Sequence, residues 1–69
     1  MIVKIAPLGE RVVEVNVEAG TTIEDALEIA NVVENGRTIM LNNSPADVDT
    51  PITAENSIIT LAQKMKGGI

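Results

Sequence analysis

Cysteine, histidine and aromatic residues are all absent from this chain. Without cysteine it can form no disulfide and holds no thiolate nucleophile, and without cysteine and histidine it cannot build a Cys/His zinc site. Without histidine it also lacks the commonest general base of enzymes. Only a carboxylate-ligated metal such as Mg²⁺ or Ca²⁺ remains chemically open. We see no catalytic constellation among the residues that remain, and we expect a protein that is not itself an enzyme.

Positive charge is scarce as well. Five lysine and arginine residues face ten aspartate and glutamate residues, which gives a net charge of −5. Binding to nucleic acid through its phosphates needs a basic surface, so we expect no nucleic-acid partner. No apolar run reaches the roughly 18 residues of a membrane span, so we expect no membrane partner either. The lack of cysteine fits a reducing cytoplasm, which is the predicted location.

The chain is instead rich in aliphatic residues. Its 69 residues predict one domain, and 45% of them are hydrophobic, mostly valine, isoleucine, leucine and alanine. A domain this short buries only about 60% of the surface that its unfolded chain exposes, so its core must be compact. β-branched side chains are stiff and favour strands. The composition therefore indicates a small fold that contains a sheet.

The first third of the chain predicts a β-hairpin. "MIVKIA" (1–6) and "RVVEVNVEAG" (11–20) alternate apolar and polar residues with the period of a strand. The intervening "PLGE" holds Pro7, which presets a turn, and Gly9, which can take a positive φ. Two strands joined by so short a turn pair antiparallel.

One helix follows, in "TTIEDALEIANV" (21–32). Thr21 and Glu24 fit a capping box, and Thr22 is an alternative cap. We expect the helix to end near Asn31. Its apolar side recurs with the period of a helix. The residues of that stripe are Ile23, Ala26, Leu27 and Ala30.

The second half predicts two more strands around an irregular crossing. "RTIMLN" (37–42) is the third strand, and "SIITLAQKM" (57–65) is the last. The stretch between them is too rich in Asn, Asp and Pro for a central strand, so it should wrap the sheet edge and drop Val48 and Ile52 into the core. This crossing lets the first and last strands lie side by side and parallel at the sheet centre. An amphipathic helix across one face then completes an α+β domain.

This order of elements resembles the β-grasp, or ubiquitin-like, fold, with a mixed sheet of four to five strands on one helix. The chain is similar to the sulfur carriers of thiamine and molybdopterin biosynthesis (ThiS/MoaD-like) and to small archaeal ubiquitin-like modifiers. The likeness is carried by "AGTTIEDALEIANV" (19–32) and by "IMLNNSPADVDTPITAENSIITLAQKMKGG" (39–68), which ends in two glycines. Where the family often has an Asp-Gly-Asp turn, this chain has Ala54-Glu55-Asn56, and asparagine can take the same left-handed conformation.

The resemblance implies a function at the carboxyl end. In such proteins an E1-like adenylyltransferase uses ATP and Mg²⁺ to adenylylate the terminal glycine, which is then thiocarboxylated or conjugated to a lysine. Here Gly68 would be the reacting residue, and Gly67 would be its neighbour, which has no side chain to obstruct a partner's active site. Ile69 follows them, so a processing protease would have to remove it first. A sulfur donor or a synthase subunit is a further implied partner, and the chain itself would bind no cofactor.

A partner surface can also be predicted from the alternation of the strands. We expect residues 1–66 to form the β-grasp domain and 67–69 a flexible tail. If the valines of the second strand face the helix, another set of apolar residues faces away and could contact a partner. Lysines beside the tail could steer it towards an acidic or phosphate-bearing partner, or simply keep an edge strand soluble. The candidate partner-binding residues are Ile2, Val12, Met40, Ile58, Lys64 and Lys66.

Three plainer interpretations stay open. The two glycines can belong to a disordered tail, which is common at chain ends. The chain can be an interaction module that uses its sheet face or an edge strand without any tail chemistry. It can also be an idealised or engineered β-grasp scaffold.

The acidic residues have plain interpretations too. Glu24, Asp25 and Glu28 could form a docking surface, but a solvated helix face near the positive end of the dipole accounts for them. Asp47 and Asp49, close in sequence to two asparagines, hint at hard-metal ligands, but turn chemistry explains them better.

Overall fold

The structure, a computed structural model, describes residues 1–34 and 36–62. The strands form one five-stranded sheet in the order β2-β1-β5-β3-β4, and the helix packs on one of its faces. This architecture confirms the predicted α+β fold. Its elements are β1 (Ile2–Pro7), β2 (Val13–Asn16), α1 (Ile23–Ala30), β3 (Thr38–Leu41), β4 (Ser44–Pro45) and β5 (Ser57–Ala62).

The centre of the sheet joins the two ends of the described chain. β1 and β5 are parallel, with Lys4 opposite Ile58 and Ile5 opposite Ile59, while the neighbouring pairs are antiparallel. The predicted central pairing of the first and last strands is therefore confirmed. A parallel pair cannot be closed by a tight turn, and here the whole of α1, β3 and the crossing lies between the two strands.

The β1–β2 hairpin forms as predicted, although its second strand is shorter than expected. Gly9 has φ +80°, a value that most residues with a side chain avoid. β2 ends at Asn16, and Val17 lies beyond it. Val17 is nevertheless buried, because its N–H donates to the carbonyl of Met1 at 2.9 Å and holds it against the core.

The helix is capped one residue later than the capping box predicts. Thr22 is the N-cap, and its Oγ1 accepts from the N–H of Asp25 at 3.2 Å. The prediction of Thr21 as the cap is wrong, and the alternative cap Thr22 is confirmed. Thr21 instead uses its carbonyl to accept from the N–H of Ile52 at 2.8 Å, which ties the helix start to the crossing. The helix ends at Asn31 as predicted, in the left-handed conformation at φ 59°.

The crossing from β3 to β5 contains a strand that we did not predict. Asn42 and Asn43 both have positive φ, as tight hairpin turns require, and they lead into the two-residue strand β4. β4 lies at the sheet edge, where Pro45 costs no interior ladder bond. Further on, Ile52 is fully buried and Val48 packs against the core, as predicted.

The core lies between the sheet and α1 and is aliphatic. Among the described residues, the one buried polar side chain is Ser57. Its hydroxyl donates to the carbonyl of Ala54 and accepts from Nδ2 of Asn42 at 3.4 Å, so it is satisfied. The buried core residues are Val3, Ile5, Val15, Val17, Ile23, Ala26, Leu27, Ile39, Ile52, Ile59 and Leu61.

Candidate functional site

The sheet surface that faces away from α1 is not covered by any described part of the chain; we call it the open face. Successive side chains of a strand point to opposite sides, so each strand with buried core residues also contributes residues to this surface. The open face consists of Ile2, Lys4 and Ala6 of β1, Glu14 and Asn16 of β2, Thr38 and Met40 of β3, and Ile58, Thr60 and Ala62 of β5.

Three of the predicted partner-binding residues lie on the open face as predicted. Ile58 is 44% exposed, and Ile2 and Met40 on the same face are half-buried. The fourth, Val12, lies just before β2 and is 58% exposed. Contact of these residues with a partner stays a prediction.

The sheet register brings three of the four together. Lys4 is opposite Ile58, and Met40 is opposite Thr60. Ile2, Ile58 and Met40 are therefore diagonal neighbours across the three central strands, close enough for long side chains to meet. Val12 lies apart from them, on the β2 side of the sheet.

A charged pair lies beside these three apolar residues on the open face. Lys4 Nζ lies 4.0 Å from Glu14 Oε2, and both side chains are more than half exposed. An exposed pair of this kind contributes about 0–1 kcal/mol to stability. Its effect is on the character of the open face, which offers apolar contacts and one charge of each sign to a partner.

The described part of β5 ends at Ala62, which pairs with Thr38 of β3. On the other side of β5, the N–H of Leu8 donates to the carbonyl of Leu61 at 2.8 Å, and the side chain of Leu8 is exposed. The neighbouring strands thus hold β5 on both sides to its described end. The remaining predicted site residues, Lys64, Lys66, Gly67, Gly68 and Ile69, lie outside the described residues.

Arg37 joins the two segments that flank the end of β5. Its guanidinium lies 3.1 Å from Glu10 Oε2 in the β1–β2 turn, and it also donates to the carbonyls of Val33 at 2.8 Å and Glu34 at 3.1 Å. Only 15% of the arginine side chain is exposed. We did not single out Arg37 from the sequence, because no local pattern pairs residues so far apart. The opposite charges of Arg37 and Glu10 beside two turn glycines were the available signal.

Residues 1–34 and 36–62 contain neither a candidate metal site nor a candidate membrane-spanning helix. They contain no group of three or more His, Cys, Asp or Glu side chains placed to hold a metal ion. Asp47 and Asn42 instead make local and cross-strand hydrogen bonds, to the N–H groups of Val48 at 2.8 Å and Ile58 at 2.9 Å. Within the same residues, no helix has the length and apolar character needed to cross a membrane.

Comparison with known proteins identifies the fold. No family model and no curated protein matches the chain. The crystal structure of SAMP1 from Haloferax volcanii matches with a TM-score of 0.72 at 18% identity, over 99% of this chain and 100% of that one. A crystal structure of H. volcanii small archaeal modifier protein 1 matches with a TM-score of 0.71 at 15% identity, over 93% and 98% of the two chains. The likeness confirms the predicted β-grasp, ubiquitin-like fold.

Proposed function

We propose that this β-grasp chain is a ubiquitin-like protein modifier or sulfur carrier whose active group is the carboxylate of Gly68. One observation carries the proposal: the fold overlays almost end to end on small archaeal modifier proteins, in a chain whose sequence places two glycines shortly after the last strand. Neither feature alone is enough, because a fold supports many functions and paired glycines are common at chain ends.

The chemistry proceeds in three steps. A protease hydrolyses the Gly68–Ile69 peptide bond and exposes the Gly68 carboxylate. A carboxylate oxygen then attacks the α-phosphorus of ATP, pyrophosphate leaves, and an acyl-adenylate forms. Finally, hydrosulfide or a lysine amine attacks the acyl carbon and AMP leaves, which gives a thiocarboxylate or an isopeptide. An E1-like adenylyltransferase supplies ATP, Mg²⁺ and the proton transfers.

The residues of the chain suit the role of substrate in these steps. With no histidine or cysteine it brings no usual base or thiol nucleophile. Glycine has no Cβ, so Gly67 and Gly68 can pass through a narrow channel into another protein's active site. The open face supplies the docking surface through Ile2, Ile58 and Met40.

The first test is the intact mass of the protein isolated from its own cells. The proposal expects a chain that lacks Ile69, together with a form in which one oxygen is replaced by sulfur or a form joined to another protein. The first modified form identifies a sulfur carrier and the second a modifier. A chain that always retains Ile69, under every growth condition tried, contradicts the proposal.

A second test uses purified components. The E1-like adenylyltransferase of the same organism is mixed with ATP and with a chain ending at Gly68, and pyrophosphate release is measured. The chain ending at Ile69 is the matched control and should release none, because its Gly68 carboxyl is part of a peptide bond. Equal release from both chains would show that the reacting group is not the Gly68 carboxylate.

The open face favours one alternative, an interaction module without tail chemistry. Ile58 and Val12 are exposed apolar residues that a partner would cover. Deleting residues 67–69 separates the two functions, because a module keeps its affinity for a partner while a carrier loses its reaction. Replacing Ile58 by Thr weakens partner binding under both functions and serves as the positive control.

A further inference from the structure

A groove lies on the helix side of the molecule, away from the open face. It runs between α1, the connection from α1 to β3 and the crossing that leads to β5, and its volume is about 420 Å³. Apolar side chains form its floor and one wall, and carboxylates stand around them. The lining residues are Leu27, Val32, Val33 and Val48, with Glu24, Glu28 and Glu34.

The apolar part of the groove is partly open to water. Val33 is 70% exposed, the highest exposure among the large hydrophobic residues that the structure describes. Val32 and Val48 are half-buried at its sides, and Leu27 closes it from below. These residues offer apolar surface that folding leaves uncovered, next to a core that is otherwise closed.

Several backbone groups around the groove are already hydrogen-bonded. Val48 donates its N–H to Asp47 Oδ1 at 2.8 Å, and its carbonyl accepts from the N–H of Glu24 at 3.0 Å. The carbonyl of Val33 accepts from Arg37 at 2.8 Å. These groups are not free to pair with an extended peptide, which favours an occupant that satisfies its own backbone groups. A helix does this, and an amphipathic helix binds grooves through its apolar side.

The charges around the groove select a basic occupant. Glu24 and Glu28 are exposed one turn apart on α1, and Glu34 lies on the connection to β3. Within residues 1–34 and 36–62, the two ion pairs are those of Lys4 and Arg37, and neither involves these carboxylates. Three carboxylates that form no ion pair with any described residue lie beside an apolar floor, and they complement a helix that carries lysine or arginine around its apolar side.

We propose that this groove binds a basic amphipathic helix of a partner protein, with aliphatic side chains on Val33 and Val48 and cations against the three glutamates. Arg37 holds the carbonyls of Val33 and Glu34, so the wall is formed before the partner arrives. The groove lies on the opposite side of the sheet from the open face. One partner can therefore occupy the groove while another contacts the open face.

The test is a titration of the full, unprocessed ¹⁵N-labelled chain with a synthetic peptide, followed by amide chemical shifts. The peptide is a capped helix with leucine at i, i+3, i+4 and i+7 and lysine beside the leucines. The expected shifts are confined to the groove residues Leu27, Val32, Val33 and Val48. Shifts that concentrate on the open face or in residues 63–69, or that scatter over the surface, overturn the proposal.

Charge-matched variants separate a specific site from general attraction. Replacing Glu24, Glu28 and Glu34 by Gln should weaken binding about tenfold, because three exposed ion pairs of modest strength are lost. The control replaces three exposed glutamates outside the groove (Glu14, Glu18 and Glu55) by Gln, has the same net charge and should bind as the parent chain does. Equal weakening in both variants overturns the proposal.

A further variant tests the apolar floor. Val33→Ser should weaken binding of the lysine peptide, since it removes the main exposed apolar contact without adding a charge, and it should not unfold a chain in which this side chain is already in water. Unchanged affinity contradicts the proposal. None of these measurements uses ATP or needs the Gly68 carboxylate, so their failure leaves the proposed tail chemistry standing, and the reverse also holds.

Discussion

Ile58 and Ile59 are neighbours in β5, yet they lie on opposite faces of the sheet. Ile59 is fully buried in the core, whereas Ile58 is 44% exposed on the open face. Fully burying an isoleucine side chain contributes roughly 1.5–3 kcal/mol, so Ile59 is a main source of stability. Ile58 gains much less from folding. Neighbouring residues of the same type thus differ in what they contribute to stability, because the alternation of the strand buries one and exposes the other.

The largest effect on stability is expected from Ile59, the fully buried residue of this pair. Ile59→Ala should lower the free energy of unfolding by about 2–5 kcal/mol, because it leaves a cavity that the surrounding buried valine, isoleucine and leucine side chains fill only in part. A loss of this size approaches the total stability of a small domain, about 5–15 kcal/mol. Urea denaturation measures it, with Ile58→Ala as the matched control. Equal losses for the two variants would remove the distinction between the faces.

A smaller effect is expected from Ser57, whose polar side chain is buried on the covered face. Ser57→Ala removes a hydroxyl that donates to the carbonyl of Ala54 and accepts from Asn42. The expected loss is about 1–3 kcal/mol, since buried partners are left unsatisfied. Thr60→Ala, on the open face of the same strand, is the control in the same denaturation series. A Ser57→Ala chain as stable as the parent would show that the hydroxyl is dispensable.

The helix cap should matter less again. Thr22→Ala should cost about 1 kcal/mol, because the N–H of Asp25 loses its acceptor. Thr21→Ala should cost less, since Thr21 binds Ile52 through its backbone carbonyl, which alanine keeps. Thermal unfolding of the two variants checks this order. A larger loss of stability for Thr21→Ala than for Thr22→Ala would instead support Thr21 as the N-cap, as the capping box in the sequence predicts.

The smallest effect on stability is expected on the open face, together with a large effect on binding. Ile58→Thr keeps a strand-forming residue and should change the free energy of unfolding by less than about 0.5 kcal/mol. Under the proposed function, its affinity for the E1-like adenylyltransferase should fall, because Ile58 belongs to the proposed docking surface. Calorimetric titration of the two proteins measures this. Unchanged affinity would contradict docking through the open face.

The fold could be predicted from the sequence to a large extent because its signals are local and agree. The alternation around Val13 and Val15, the helical stripe from Ile23 to Ala30 and the turn at Gly9 each point to the element that forms. The central parallel pairing followed from the long crossing before β5. The local preferences of these segments agree with the overall fold, as is typical of a sequence that folds to one structure.

The features that were not predicted correctly from the sequence depend on tertiary contacts. Thr21 and Thr22 both precede acidic residues at a capping distance, and the bond from Ile52 to the carbonyl of Thr21 leaves Thr22 to cap. β4 is too short to show a period. The bond between Arg37 and Glu10 joins distant parts of the chain, and the groove around Val33 needs three segments that meet only in the folded protein.

The pairing of β1 with β5 has a consequence for how the molecule is made. These strands are the first and the last that the structure describes, so the sheet centre closes only after β5 has left the ribosome. Closing so long a loop is slow, and contacts of large sequence separation delay folding. A translation product that stops before Ser57 lacks half of the sheet centre. Only a polypeptide that has been read through β5 can both fold and carry the glycines that follow it.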